Sequence, residues 1–314
     1  MRISIIGPAL PIPPKGWGAV ESLIWDMKLS LIKLGHEVQI VNIASSYQII
    51  NIINEFRPDF VHINYDDWID LYPYIQYPCA VTTHFAYIER PELMFGYKQR
   101  VFDRFAAIKP NIFGLSAGIN NIYNTLADIP KDKLYLNPNG VMAENFRFSE
   151  NPEFPNKSIY LAKIDHRKRQ FLFQEIDSLW YAGNIADDRF DQTKNYLGEW
   201  QKEVLYQNLT DYGNLVLLSD GEAHPLVCME AFSAGLGVVV SEWATANLDL
   251  DKRFISVIRE EKMNDISYVE EKIIENREYS IQHRQEILDY VKEFEWCRIL
   301  ENYYLPNIKK VIHG

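Results

Sequence analysis

The stretch NLVLLSDGEAHPLVCMEAFSAGLGVVVSE (214–242) places two short apolar runs on either side of a helical segment. The runs NLVLLSD (214–220) and GVVVSE (237–242) are typical of buried strands. Pro225 suits the first turn of a helix, because its missing N–H is not needed there, and Gly235 can end the helix. A strand, a helix and a strand in this order predict two parallel strands joined by a right-handed crossover. The stretch therefore indicates an α/β fold.

The same alternation runs through the first half of the chain. Apolar residues at helical spacing from Val20 to Leu34 predict a helix that ends at Gly35. The segments that predict strands are ISIIG (3–7), HEVQIVNI (36–43), DFVHINY (59–65), CAVTTHF (79–85), NIFGLS (111–116) and KLYLNPNG (133–140). Residues 145–157 lose this periodicity and are interpreted as a linker.

A second series of strands follows the linker. It comprises SIYLAKI (158–164), SLWYAGN (178–184), YLGEW (196–200) and the two runs of the opening stretch. We therefore expect two doubly wound domains, residues 1–150 and 151–290, with a helical end at 291–314. Open α/β sheets bind ligands at the carboxyl ends of their strands, so two such domains predict a cleft between those ends.

Bulk composition excludes several classes of protein. The 314 residues carry a formal charge of −11, which argues against a nucleic-acid partner, since that affinity depends on Lys and Arg. Cys79, Cys228 and Cys297 have no CxxC spacing, which predicts a reducing compartment and no zinc site. No apolar run approaches the length of a membrane span, and the amino terminus is unlike a signal peptide. We therefore expect a cytoplasmic protein.

Two glutamates, Glu222 and Glu230, flank the predicted helix start at Pro225. The amides near Leu226 and Val227 would be free there, and a helix amino terminus favours an anion. The pair could equally be a helix cap and a solvated side chain, which is the commoner situation. Two carboxylates around an anion site would instead suit a ligand that has both a charged group and hydroxyl groups.

The segment GEAHPLVCMEAFSAGLGVVVSE (221–242) resembles the carboxy-terminal signature of the retaining GT-B glycosyltransferases of the glycogen-synthase-like group 1 family. In that family the first glutamate lies against the donor sugar and the second binds the ribose. The resemblance assigns these roles to Glu222 and Glu230. The sequence departs from the family pattern at Pro225 and Gly237, and these differences affect the shape of the loop.

The segment YLAKIDHRKRQ (160–170) resembles the family motif whose two basic residues hold the departing diphosphate. Lys163 falls on the arginine position and Lys168 on the lysine position. Lysine lacks the bidentate fork of arginine, which weakens the assignment of Lys163. Arg169 replaces the family's glycine, and either Arg167 or Arg169 could share the role. HRKRQ alone could also be a solvated loop.

Two further motifs lie in the first domain. PPKGWGAVESLIWDMKLSLIKLGHEV (13–38) resembles the family's glycine-rich loop and first helix. Gly16 and Gly18 would let the backbone approach the donor, and Trp17 could stack on the acceptor. His84 stands where the family often places a histidine beside the transferred sugar, although a lone histidine after a strand is more often structural.

The remaining motifs occur in the family's order. NPNGVMAENF (137–146) resembles the segment that ends the first domain, and EFEWCRILENYY (293–304) the closing helix that crosses back to it. The resemblance thus implies a GT-B fold, with two Rossmann-like domains that face a cleft.

The implied activity is transfer of a hexose from a nucleotide diphosphate sugar to an acceptor hydroxyl, with retention, in glycan or glycoconjugate synthesis. UDP-glucose is the first expectation for the donor and GDP-mannose the second. No Asp-x-Asp metal motif is suitably placed, so we expect neither a metal nor another cofactor. The alternatives are a nucleotide-sugar 2-epimerase and a non-catalytic subunit that binds a sugar nucleotide.

The segment FGYKQRVFDRFAAIKP (95–110) combines phenylalanines with lysines and arginines, which predicts a mildly basic amphipathic helix. Such a helix can lie on an anionic membrane surface. Its expected packing against the sheet argues against that role, so weak peripheral membrane contact stays an alternative. The acceptor itself is expected to be a carbohydrate or another small molecule.

Overall fold

The computed structural model describes residues 1–14 and 18–314, which divide into two compact units. Unit 1 comprises Met1–Gly140 and Trp296–Gly314, and unit 2 comprises Val141–Glu295. Each unit is built on its own parallel sheet. The predicted α/β class with two Rossmann-like sheets is therefore confirmed.

The described part of unit 1 contains a six-stranded parallel sheet in the order β2-β1-β3-β4-β5-β6. The strands are β1 (Arg2–Ile6), β2 (Glu37–Val41), β3 (Phe60–Ile63), β4 (Cys79–Val81), β5 (Ile112–Gly114) and β6 (Leu134–Leu136). The helices are α1 (Ala19–Lys33), α2 (Ser46–Phe56), α3 (Phe95–Tyr97), α4 (Asp103–Ile108) and α5 (Ala117–Leu126). Strand β1 lies between β2 and β3, so the chain changes direction across the sheet at that point.

The helices of unit 1 follow from their sequences. Helix α1 buries Leu23, Ile24, Met27 and Leu31, which belong to the predicted apolar face. Ser116 caps α5, because its hydroxyl accepts a hydrogen bond of 3.0 Å from the Ile119 amide. A π-helix, Lys98–Phe102, joins α3 to α4. The predicted helix over 95–110 is therefore present, with a change of pitch in its middle.

Unit 2 contains a five-stranded parallel sheet among the described residues, in the order β11-β10-β9-β7-β8. Its strands are β7 (Phe154–Leu161), β8 (Leu179–Ala182), β9 (Tyr212–Leu217), β10 (Gly237–Ser241) and β11 (Ile255–Ile258). Its helices are α6 (Lys202–Asn208), α7 (Leu226–Ser233), α8 (Ile266–Gln282) and α9 (Arg284–Val291). Strands β9 and β10 are buried throughout, as parallel strands covered on both faces should be.

The sequence predictions for unit 2 were wrong at three places. YLGEW (196–200) is not a strand: Tyr196 forms an isolated bridge, and Gly198 has a φ of +83°, which extended backbone does not allow. Strand β7 begins at Phe154, inside the segment interpreted as a linker. Strand β11 was not predicted.

The chain ends with α10 (Trp296–Ile299), a π-helix at Leu300–Tyr304 and α11 (Leu305–His313). These elements belong to unit 1. Tyr304 is fully buried and packs edge-on against Phe113, with ring centroids 5.6 Å apart. Asn307 donates a hydrogen bond of 2.7 Å to the Leu136 carbonyl of β6. A closing helix that returns to the first sheet was predicted, and it is present. Across the described ranges, no helix combines the length and apolarity needed to cross a bilayer.

Candidate functional site

The candidate site of unit 2 lies where its chain changes direction across the sheet. Strand β7 has β8 on one side and β9 on the other. The carboxyl ends of β7 and β9 are therefore the switch point, where open α/β sheets bind ligands. The loop after β7 carries Lys163, Arg167 and Lys168, and the loop after β9 carries Glu222. Parallel pairing of the two strands brings the basic and acidic segments of the sequence together.

The two loops are joined by charged and backbone hydrogen bonds. Lys168 Nζ and Glu222 Oε1 form an ion pair, and Arg167 Nη1 donates to the same oxygen over 2.9 Å. Arg167 Nη1 also donates to the Gly221 carbonyl over 2.6 Å, while the Arg167 carbonyl accepts from the Asp220 amide over 2.9 Å. We call Arg167, Lys168 and Glu222 the ion cluster. One carboxylate thus faces two cations, which leaves a net charge of +1.

The ion cluster is largely removed from water. The exposed fractions of the side chains are 10% for Lys168, 13% for Glu222 and 22% for Arg167. Burial by itself raises the pKa of Glu222, but the charges of Lys168 and Arg167 outweigh it and hold that pKa below its usual value. Burial also lowers the pKa of Lys168, an effect that Glu222 opposes. The carboxylate is therefore ionised at neutral pH.

Two residues whose role the motif pattern did not indicate hold Lys168 in place. The fully buried Tyr160 of β7 donates its hydroxyl proton to the Lys168 carbonyl and accepts a hydrogen bond of 2.9 Å from the Leu218 amide. Asp165 accepts a hydrogen bond of 3.0 Å from the Lys168 amide through Oδ1. The Asp165 contact is local, since the two residues are three positions apart. The Tyr160 hydroxyl also ties this loop to the end of β9 through Leu218, a contact that no local sequence signal reveals.

Lys163 and Arg169 lie apart from the ion cluster. The Lys163 side chain is exposed and forms no ion pair within residues 1–14 and 18–314. Arg169 donates hydrogen bonds of 2.8 and 3.0 Å to the Leu218 and Ser219 carbonyls and pairs with Glu260. Of the two arginines considered from sequence, Arg167 is the one that contacts Glu222.

Helix α7 starts beside Glu222, as the sequence predicted. Pro225 precedes its first residue, Leu226, and Gly235 follows its end with a φ of +78°. The Leu226 amide donates to the His224 carbonyl over 2.9 Å and is therefore not free. The Val227 amide has no acceptor among the described residues and remains available to an anion. Glu230 is half-buried on the same helix.

The predicted residues of unit 1 are placed separately. Gly16 and Trp17 lie outside the described residues. Gly18 precedes α1, and a Cβ atom there would come within 2.7 Å of Glu21 Oε2 and 2.9 Å of Pro14 Cβ, so the close packing requires glycine. His84 follows β4, is half-buried, and forms a hydrogen bond of 2.6 Å between Nε2 and Asn64 Oδ1. Asn64 was not among the predicted site residues.

In the segment 95–110 the exposed basic side chains are paired with acids, and two of the three phenylalanines are buried. Phe102 and Phe105 are buried in unit 1, whereas Phe95 is 75% exposed. Four cations of the segment form ion pairs: Lys98 with Asp103, Arg100 with Asp67, Arg104 with Asp70, and Lys109 with Asp128. These acids offset the charge that an anionic membrane would attract. Among the described residues, no three His, Cys, Asp or Glu side chains are grouped as a metal site requires.

Comparison with solved structures identifies the architecture. Sucrose-phosphate synthase from Thermosynechococcus elongatus superposes with a TM-score of 0.74 at 14% identity, covering 99% of both chains. Anabaena HepE in complex with UDP-glucose gives a TM-score of 0.72 at 12% identity, covering 100% of this chain and 99% of that one. The chain has the GT-B fold.

A third structure with this fold is AviGT4, a glycosyltransferase of avilamycin A biosynthesis. Its TM-score is 0.70 at 14% identity, with 100% of this chain and 98% of that one covered. No protein-family profile and no curated protein sequence matches the chain. The resemblance noted in the sequence is therefore confirmed at the level of the fold.

Proposed function

We propose that the protein is a glycosyltransferase that takes a hexose from a nucleoside diphosphate sugar and transfers it to an acceptor hydroxyl with retention. The observation that carries this proposal is the ion cluster at the switch point of unit 2. Lys168 and Arg167 lie at the carboxyl ends of parallel strands, which is where this fold class binds ligands. Two structural neighbours, AviGT4 and the lipopolysaccharide outer core galactosyltransferase WaaB, are themselves glycosyltransferases.

The chemistry of the proposed reaction requires stabilisation of the leaving group. Negative charge builds on the diphosphate as the bond to the sugar stretches, and preorganised cations in a site shielded from water stabilise that charge. Lys168 and Arg167 would supply the positive charge, together with the Val227 amide at the start of α7. Glu222 would lie beside the donor sugar, and Glu230 would bind the ribose hydroxyls. We infer that the reaction needs no metal, because these groups would offset the phosphate charge.

UDP-glucose is the first candidate donor and GDP-mannose the second. Support for the uracil nucleotide comes from HepE, whose structures contain UDP or UDP-glucose. A thermal-shift screen with UDP-, GDP-, ADP- and dTDP-sugars selects the donor. Release of the nucleoside diphosphate then measures turnover, and the anomer of the released sugar, read by NMR before mutarotation, measures retention. Turnover should be unaffected by EDTA.

Substitutions in the two loops test the roles of the basic residues. We expect Lys168→Ala to lower turnover by about 10²- to 10³-fold, which is the usual effect of removing one group that stabilises a developing charge. Arg167→Ala should lower it more than Lys163→Ala, since Arg167 contacts Glu222 and the Lys163 side chain is exposed. Lys194→Ala is the matched control, because Lys194 is an exposed lysine of the same unit that pairs with Glu175.

The same experiments separate the alternatives. A non-catalytic subunit is favoured by the departures at Lys163 and Arg169, and it would show a thermal shift with a sugar nucleotide but no turnover. A 2-epimerase would convert the donor into its epimer without transfer. Equal activity of Lys168→Ala and Lys194→Ala would contradict the proposed role of the ion cluster, and so would turnover that Glu222→Gln leaves unchanged.

A further inference from the structure

Unit 1 contains a chain of buried polar groups that ends at His84. It starts at the Phe113 carbonyl of β5, which accepts a hydrogen bond of 2.9 Å from the Thr82 hydroxyl. His62 of β3 follows, with Nε2 2.9 Å from Thr82 Oγ1. Asn64 comes next, and its Oδ1 is 2.6 Å from His84 Nε2. His62, Asn64 and Thr82 are each at most 2% exposed.

The direction of every hydrogen bond in this chain follows from its first member. A carbonyl can only accept, so Thr82 gives its single hydroxyl proton to Phe113. Thr82 must then accept from His62, which places the proton of His62 on Nε2 and a lone pair on Nδ1. Burial lowers the pKa of His62 to about 3, so this ring is neutral.

Two donors face the lone pair of His62. The Tyr304 hydroxyl lies 3.2 Å from Nδ1, and Asn64 Nδ2 lies 3.5 Å from it. With its amide nitrogen turned to His62, Asn64 presents its carbonyl oxygen to His84. His84 must therefore donate from Nε2.

The backbone around His84 is also held in place. Thr83 donates its hydroxyl proton to Asp66 over 2.5 Å and accepts a hydrogen bond of 3.2 Å from the Phe85 amide. Tyr97 donates to the same carboxylate over 2.5 Å, and its ring stacks on Phe85. Contacts on both sides of His84 thus limit the positions that the imidazole can take.

Because His84 donates from Nε2, its Nδ1 carries a lone pair when the ring is neutral. Burial lowers the pKa of His84 to about 4, which keeps the ring neutral at pH 7. The ring is half-buried, and its Nδ1 accepts no hydrogen bond from any residue of the described ranges. A neutral imidazole fixed in this way presents a hydrogen-bond acceptor and cannot donate from the same atom.

We propose that Asn64 is a positioning residue that fixes the Nε2–H tautomer of His84, so that His84 Nδ1 accepts a hydrogen bond from a substrate hydroxyl group. The hydroxyl belongs either to the transferred sugar or to the attacking alcohol or water, which share this chemistry. The role of the hydroxyl rests on the proposed function, whereas the tautomer does not.

The tautomer is measured on ligand-free protein with ¹⁵N-labelled histidine. Two-dimensional ¹H–¹⁵N spectra that detect couplings through two and three bonds distinguish the two tautomers and the imidazolium. Seven histidines contribute signals, and the signal lost in His84→Gln assigns His84. We expect a protonated Nε2 and a bare Nδ1 at pH 7. A proton on Nδ1 in the wild-type protein would overturn the proposal, whatever the variants do.

Substitutions at Asn64 test its part in this arrangement. In Asn64→Leu the imidazole loses its acceptor, so we expect a mixture of tautomers. In Asn64→Asp the carboxylate favours a second proton, so we expect the imidazolium. Tyr304→Phe is the matched control: it deletes one buried hydroxyl from the same chain but leaves Asn64 in place, so the His84 signal should not change. Equal changes in Asn64→Leu and Tyr304→Phe, or none in either, would overturn the positioning role.

Hydrolysis of UDP-glucose by wild-type protein and Asn64→Leu connects the tautomer to activity. If the hydroxyl belongs to the glucosyl group, Asn64→Leu should raise KM about tenfold. If it is the reacting hydroxyl, Asn64→Leu should lower kcat about tenfold. Either change corresponds to the loss of one hydrogen bond. An altered tautomer with unchanged kinetics would overturn the substrate contact. If wild-type protein turns over no sugar nucleotide in the donor screen, the proposed function fails, and the spectra still decide the tautomer.

Discussion

Arg169 occupies a backbone conformation that favours glycine, with a φ of +58°. The family motif has glycine at this position, and the strain of the left-handed region is about 1 kcal/mol for other residues. Here the side chain offsets that strain through hydrogen bonds to the Leu218 and Ser219 carbonyls and an ion pair with Glu260. The side-chain contacts of Arg169 thus compensate for its backbone strain in the loop that carries Lys168.

Two substitutions separate the strain from the contacts of Arg169. Arg169→Ala and Arg169→Gly lose the same contacts, but only glycine relieves the backbone. We expect both to unfold at lower urea concentration than the wild-type protein, with Arg169→Gly more stable than Arg169→Ala by about 1 kcal/mol. Urea denaturation followed by tryptophan fluorescence measures the difference. An alanine variant as stable as the glycine variant would show that the backbone is not strained.

Histidine 62 makes the stability of unit 1 depend on pH. Burial lowers the pKa of His62 from 6.5 to about 3, so below pH 6.5 the unfolded chain binds a proton that the folded chain does not. The free energy of unfolding therefore falls as the pH is lowered from 7 to 4, by up to about 1.4 kcal/mol per pH unit from this residue. His84, with a pKa lowered to about 4, contributes with the same sign.

The variant His62→Gln removes the contribution of His62 to this pH dependence. We expect its unfolding free energy to fall less steeply with decreasing pH than that of the wild-type protein, whatever its stability at pH 7. Urea denaturation at pH 7, 6 and 5 gives both slopes. Parallel slopes would mean that His62 binds its proton equally in the folded and unfolded chains.

At the level of elements, the end of α7 depends on Gly235. Its φ is +78°, and an added Cβ atom would lie 2.7 Å from Phe148 Cε2 and 3.4 Å from Arg284 Cβ. Gly198 of the same unit has a similar φ, +83°, but an added Cβ atom there meets nothing within 4 Å. Both alanine variants therefore share the backbone strain, and only one adds a clash.

We expect Gly198→Ala to lower the free energy of unfolding by about 1 kcal/mol, the strain of a left-handed alanine. Gly235→Ala should lower it by about 2–4 kcal/mol, because overpacking against Phe148 adds to the same strain. Both belong to unit 2, so one unfolding transition reports both. Equal losses would mean that Phe148 moves away at no cost.

The elements of this chain differ in how far its sequence predicts them. β9, α7 and β10 were predicted because a buried parallel strand has a continuous apolar run and Pro225 and Gly235 mark the helix. β11 was missed because its run, Phe254 to Ile258, is short and lies between charged residues. YLGEW was wrong because the left-handed Gly198 ends any extended run.

In the candidate site, too, some residues could be predicted from local motifs, whereas others depend on contacts between distant parts of the chain. Lys168 and Glu222 were predicted through the resemblance, and the structure brings them into an ion pair. Arg167 could not be chosen over Arg169 from sequence, since the choice depends on the turn between β7 and the 3-10 helix at Gln170–Phe173. Asn64 matters only because β3 and β4 are neighbours in the sheet, which no local motif records.

At the scale of the whole molecule, unit 1 depends on the last residues of the chain. Residues 1–140 build the six-stranded sheet, but 296–314 complete its core from the far end of the chain. Tyr304 packs against Phe60 and Phe113 and donates a hydrogen bond to His62, and Trp296 lies within 2.6 Å of the position that a Cβ atom on Gly140 would take. Unit 2 has its own continuous segment and its own core.

Truncation after Glu295 should therefore weaken one unit and spare the other. We expect hydrogen–deuterium exchange to rise in β3 and β5, which lose Tyr304, whereas β9 and β10 keep their protection. Tyr304→Ala in the full chain should show the same pattern with a smaller loss, about 3–5 kcal/mol for one buried aromatic ring. Exchange that rises equally in β9 and β10 would mean that unit 2 also needs the last residues to fold. Unchanged exchange in β3 would mean that the first 140 residues form their core without residues 296–314.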